Sequence, residues 1–144
     1  MTAPTTFTRA SITAAKAAAM IDACEAEAAV RGMAIVTVVV DESGLTKAMR
    51  RMDNAPLLAM GAAHKKAYTA VGFGMATGRP WHDFIKDDPI PIHGAQSLTD
   101  FTLLGGGFPI VVNGVIVGAI GVSGGHYTAD EACAQAGLAV LERW

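Results

Sequence analysis

The sequence is poor in cysteine, in charge and in long apolar runs. Two cysteines in 144 residues, Cys24 and Cys133, are too few for a disulfide scaffold. Charged residues make up 17% of the chain, against roughly 25% in an average soluble protein. There is no basic excess: 11 Lys and Arg oppose 13 Asp and Glu, a formal charge of −2. That balance offers nothing to nucleic acid or to an anionic membrane surface. The longest apolar stretch, Phe108 to Val122, is broken by Pro109, Asn113 and several glycines. It falls short of the about 20 apolar residues that a spanning helix needs. The start, Met1 to Ala10, lacks a basic region followed by an apolar run, so no signal peptide is read and the expected location is cytoplasmic.

Several chemical motifs are also missing. There is no HExxH, no CxxCH and no Cys/His pair at zinc spacing, so no metal site is expected. No Gly-Lys-Ser/Thr follows the glycine clusters, and no GxGxxG opens a helix after the first strand, which leaves the nucleotide signal weak. No internal repeat, linker or low-complexity segment divides the chain, so residues 1–144 read as one domain.

What is present is apolar. Hydrophobic residues reach 51%, and mean hydropathy is +0.36. With so few charges, that excess points to surface buried between subunits, and hence to a homo-oligomer. An alanine-rich helix is read over Thr8 to Arg31, capped by Thr8 or Ser11, then a buried strand over Met33 to Val40. Asp41 to Gly44 turns into a second strand, Leu45 to Arg50. A second helix runs from Pro56 to about Val71. A short helix at Trp81 to Lys86 and a loop at Asp87 to Gly94 follow. Residues Ser97 to Leu104 are ambiguous between strand and loop. Asn113-Gly114 joins Ile110–Val112 to Val115–Val122 as a hairpin, and Thr128 caps a last helix, Ala129 to Arg143. The order is α-β-β-α-(α)-β-β-β-α, an α+β chain with an antiparallel sheet flanked by helices.

Within this frame a few residues can carry chemistry. Lys66 shares a helical stripe with Ala59, Ala63 and Ala70, an odd place for a solvated lysine. Burial there would depress its pKa unless a carboxylate compensates, and Asp53 or Asp41 is the expected partner. The plainer reading is a lysine lying past alanines or salt-bridged across an interface. Arg51 and Asp53, two residues apart at a strand end, can bind a carbonyl or hold a base; equally they can form a salt-bridged turn. Gly105, Gly106 and Gly107 expose backbone amides that suit an oxyanion, or simply supply positive φ at a turn. Ser123 lies in Gly-Val-Ser-Gly-Gly, which is not a nucleophile elbow, because the sheet reads as antiparallel. His64, one turn after Met60 and one before Tyr68, can ligate a haem iron or be an ordinary surface residue.

Taken in order, these segments resemble the GlcG/HbpS family, also found as the C-terminal domain of PduO-type proteins. The resemblance rests on Val39-Val40-Asp41 with Gly44, Arg51-Met52-Asp53, Lys66 to Ala70, Gly105 to Pro109 and Gly118 to Gly125, with Asp130 in the closing helix. It implies a profilin-like fold assembling into dimers or larger rings. It implies two functions. Some relatives bind haem or sense redox state outside the cell. Others are encoded with catabolic enzymes and act on small organic acids or carbonyl compounds without a cofactor. The segment Arg79 to Gly94, with Trp81, His82 and His93, matches no family motif, and ligand preference is expected there.

The favoured reading is a small cofactor-independent enzyme, a hydratase-like lyase with an isomerase or hydrolase as alternatives. It would do acid/base chemistry on a small unsaturated carbonyl compound or organic acid. Asp53 or Asp41 would be the base, Lys66 and Tyr68 would assist catalysis, and Arg51, Gly105, Gly106, Gly107, Ser123 and His93 would bind substrate. The alternative is a haem- or tetrapyrrole-binding carrier or sensor, with His64 or His93 on iron.

Overall fold

The computed structural model describes residues 2–143. Its main elements are α1 (Ala14–Val30), β1 (Val36–Asp41), β2 (Thr46–Arg51), α2 (Ala59–Phe73), α3 (Arg79–Ile85), α4 (Pro89–Gly94), β3 (Gly107–Val112), β4 (Val115–Ser123) and α5 (Tyr127–Leu138). The four strands form one sheet in the order β2-β1-β4-β3, with every neighbouring pair antiparallel. The α+β architecture expected from the sequence is present. No helix among the described residues is long and apolar enough to cross a membrane.

The sheet is covered on both faces, which explains why β1 is an unbroken apolar run rather than an alternating one. On one face, Ile35, Val39, Ile120 and Val122 pack with Met20, Ile21 and Cys24 of α1 and Cys133 and Ala134 of α5. On the other, Val36, Val38, Val40 and Ala119 meet Ala59, Ala63, Ala67 and Ala70 of α2. The small-residue stripe of α2 lets its backbone lie close to the sheet. At Gly121 of β4 a Cβ would overlap the carbonyl of Ala63 and approach the amide of Ala67 at 2.7 Å.

Three local details differ from the sequence reading. First, the caps sit elsewhere. Thr13, not Thr8 or Ser11, accepts from the Lys16 amide at 3.1 Å, and His126 rather than Thr128 caps α5. Second, 87–94 is not all loop. Asp88 accepts from the Ile90 amide at 3.1 Å, and Pro89 opens α4. Both Pro89 and Pro91 fall in the first turn, where an amide has no intrahelical partner to lose. Third, no strand forms over 97–104, so the described order is α-β-β-α-α-α-β-β-α. The segment is strapped down by other bonds. Thr102 donates its amide to Thr69 Oγ1 at 3.0 Å, and the Leu103 carbonyl accepts from the Gly78 amide at 2.7 Å.

Candidate functional site

Lys66 is 1% exposed, held on α2 beside the sheet. Its Nζ donates to the Val122 carbonyl at 2.8 Å and to Asp130 Oδ2 at 2.9 Å. Asp130, in the first turn of α5 and equally buried, accepts the Gly125 amide on its other oxygen at 3.0 Å. Burial pushes the Lys66 pKa down; the hydrogen bond and charge of Asp130 oppose this, and Glu131 adds to the opposition. The partner expected from the sequence was Asp53 or Asp41, and the structure supplies Asp130 instead.

A pocket of about 300 Å³ opens next to this pair. Gly78, Arg79 and His82 form one side, Leu103, Leu104 and Gly105 another, and Tyr127 closes it from the start of α5. Gly105 lines the pocket, and the next residue, Gly106, packs against the ion pair. Gly106 has φ +121°, and a Cβ on it would lie 2.6 Å from the Val122 carbonyl oxygen and 3.1 Å from Lys66 Nζ. A Cβ on Gly105 would meet the Tyr127 ring at 2.8 Å and the Glu131 carboxyl carbon at 2.9 Å, so Glu131 packs against Gly105. His82 Nδ1 lies 3.3 Å from Asp83 Oδ1, and its Nε2 has no partner among the described residues. The pocket thus combines apolar leucine walls, a phenol, a guanidinium and an imidazole with a free nitrogen. Such a set suits a flat apolar ligand with an anionic edge, and the imidazole suits a metal in that ligand.

The other candidate residues lie elsewhere. Asp41 is occupied at the β1–β2 turn, where its Oδ1 accepts from the amides of Ser43 at 2.9 Å and Leu45 at 3.1 Å. Arg51 and Ser123 flank Val36 on opposite sides. That end of β1 is five residues, roughly 17 Å, from Asp41. Asp53 is exposed in a turn closed by the Ala55 amide on the Met52 carbonyl at 3.2 Å. Tyr68 lies over Gly44 and stacks with His64 at 5.8 Å, and His93 is exposed on α4. Of the residues singled out in the sequence, Gly105 lines the pocket, while Gly106 and Gly107 pack on Lys66. Arg79 and His82 fall in the segment where ligand preference was expected. Leu103, Leu104 and Tyr127 carried no such signal, because nothing local distinguishes them from core or cap residues; Asp130 entered only through the family resemblance of the closing helix. Among the described residues, no three His, Cys, Asp or Glu side chains converge to hold a metal ion.

Residues 12–139 match the family model described as haem degrading protein HbpS-like. The chain belongs to the HbpS-like family. It is 37% identical over 134 residues to an uncharacterized 15.0 kDa protein of the dhaT-dhaS intergenic region of Citrobacter freundii, covering 90% of this chain and 91% of that one. Its fold matches the crystal structure of Klebsiella pneumoniae ORFY with a TM-score of 0.90 at 28% identity, over 100% of this chain and 99% of the other. It also matches the crystal structure of a PduOC:haem complex with a TM-score of 0.77 at 25% identity, over 90% and 94% of the two chains. These findings overturn the expectation of a cofactor-independent lyase. The family description names haem degradation, and one structural neighbour, PduOC, was crystallised with haem.

Proposed function

We propose that this HbpS-like chain binds haem or a related tetrapyrrole in the Arg79–His82 pocket. The observation that carries the reading is the donor set. His82 has one ring nitrogen directed to Asp83 and the other without a partner, in a pocket that also holds Arg79 and two leucines. A second group that fixes one imidazole nitrogen orients the other as a metal ligand. Arg79 would hold a propionate, Leu103 and Leu104 would cover the macrocycle face, and Tyr127 would pack at its edge. When bound, the haem would supply redox chemistry, and His82 is the residue that would hold its iron. The haem of the PduOC complex and the family description support the same ligand class.

At about 300 Å³ the pocket sits at the lower end of small-molecule sites and is smaller than an intact haem. A second copy of the chain would cover the remainder, which fits the homo-oligomer expected from composition. Leu104, 56% exposed on the pocket wall, and Phe84, 71% exposed on α3, are suitable contact residues.

The test is a haem titration followed by the visible spectrum, with light scattering on the same sample. Wild type should give a saturable Soret band, His82→Ala should lose or shift it, and Arg79→Ala should weaken binding about tenfold. No saturable band overturns the reading. A band unchanged in His82→Ala but lost in His64→Ala or His93→Ala moves the iron ligand to that histidine. A 14.8 kDa monomer in the haem-loaded sample removes the second copy from the site.

A further inference from the structure

A separate cavity of about 210 Å³ lies between α2 and the segment that follows α4, and it shares no lining residue with the Arg79–His82 pocket. Tyr68 and Phe73 of α2 and Phe101 of the segment supply three aromatic rings, and Asp100 supplies a carboxylate. The Phe73 and Phe101 rings meet edge to face at 6.3 Å.

The place of Asp100 is built rather than incidental. The Phe101 amide donates to the Leu98 carbonyl at 3.4 Å, closing a four-residue turn. The third residue of that turn, Asp100, has φ +61°. Glycine or asparagine is the usual occupant of such a position, and aspartate adds a charge that the turn does not need. Thr69, 2% exposed, pins the turn from both sides: its hydroxyl donates to the Asp100 carbonyl at 3.3 Å and accepts from the Thr102 amide at 3.0 Å. Asp100 is half-buried, and no hydrogen bond or ion pair reaches its carboxylate from any described residue. A carboxylate without a partner beside aromatic rings favours a cation.

We propose that this cavity is a binding site for a small organic cation of the alkylammonium class. The ring faces attract a cation through their quadrupoles, and the fixed carboxylate neutralises it. A hydrated divalent metal is a poorer fit, because one carboxylate among aromatic rings does not make an oxygen cage. A small quaternary ammonium group suits both the volume and the apolar walls.

The probe is choline, titrated into the purified chain by calorimetry, beside its uncharged analogue in which carbon replaces the quaternary nitrogen. Choline should give saturable binding and the analogue none. Asp100→Asn keeps a residue that tolerates positive φ and removes the charge. It should weaken choline at least about tenfold while leaving the melting temperature and the haem titration unchanged. Phe101→Leu, which keeps an apolar wall but removes a ring, should also weaken choline. Absence of saturable choline binding, equal binding of the uncharged analogue, or wild-type affinity in both variants would overturn the proposal.

Discussion

Replacing Lys66 with methionine tests the buried pair most directly. The two side chains are 2% and 1% exposed, and their charged atoms are 2.9 Å apart. Methionine preserves most of the volume and removes the ammonium. Asp130 would keep the Gly125 amide at 3.0 Å, and the Val122 carbonyl would lose its 2.8 Å donor. Removing one partner of a buried ion pair typically costs about 3–5 kcal/mol, because the remaining charge is left uncompensated. Against a total of about 5–15 kcal/mol for a domain, that is a large share. Urea unfolding should therefore show a lower midpoint at unchanged slope. Lys65→Met, on the exposed side of the same helix, is the control and should stay within about 0.5 kcal/mol. The double variant Lys66→Met with Asp130→Asn should cost clearly less than the two single changes added together, since neither charge is then stranded. A loss below about 1 kcal/mol in Lys66→Met, or simple additivity in the double variant, would refute the reasoning.

Two further outcomes follow from the core and from the glycine beside the ion pair. Burial, then repulsion from Cys133, pushes the Cys24 thiol from 9.0 up to about 12. The unfolded chain therefore releases this proton first, so stability falls as pH rises above about 9, by about 1.4 kcal/mol per unit until about 12. Melting temperatures measured from pH ~8 to ~10.5 should show this decline, and Cys24→Ala should make it shallower, leaving the part of the same sign that comes from the Cys133 thiol, which burial also pushes up; an equally steep decline in the variant would refute the assignment. Gly106→Ala should cost about 2–6 kcal/mol, combining strain at φ +121° with a Cβ 2.6 Å from the Val122 carbonyl oxygen. Gly114→Ala, at φ +76° with nothing within 4 Å of its Cβ, should lose much less in the same thermal melt; equal losses would remove the steric argument.

What the sequence determined by itself is what local spacing encodes. The α2 stripe of alanines announces a helix packed close to something, and Lys66 on that stripe announces a buried charge. Asn113-Gly114 marks the β3–β4 hairpin, where Asn113 and Gly114 indeed take φ of +51° and +76°. The ordered segments from Val39 to Gly125 carry the family. Tertiary structure decided the rest. Asp130 is the partner of Lys66 although 64 residues separate them, and only the placement of α5 across the sheet end from α2 makes that contact. Asp41 and Asp53 are nearer in sequence, but one is consumed by turn amides and the other is left in solvent. The 97–104 segment has strand-like composition, yet the Thr69 hydroxyl and the Gly78 amide hold it as a strap. The Arg79–His82 pocket draws its walls from α3, that strap and the first residue of α5. Periodicity reports which face of an element is apolar. It carries no information about which distant element will cover that face, because chain topology and shared burial decide that.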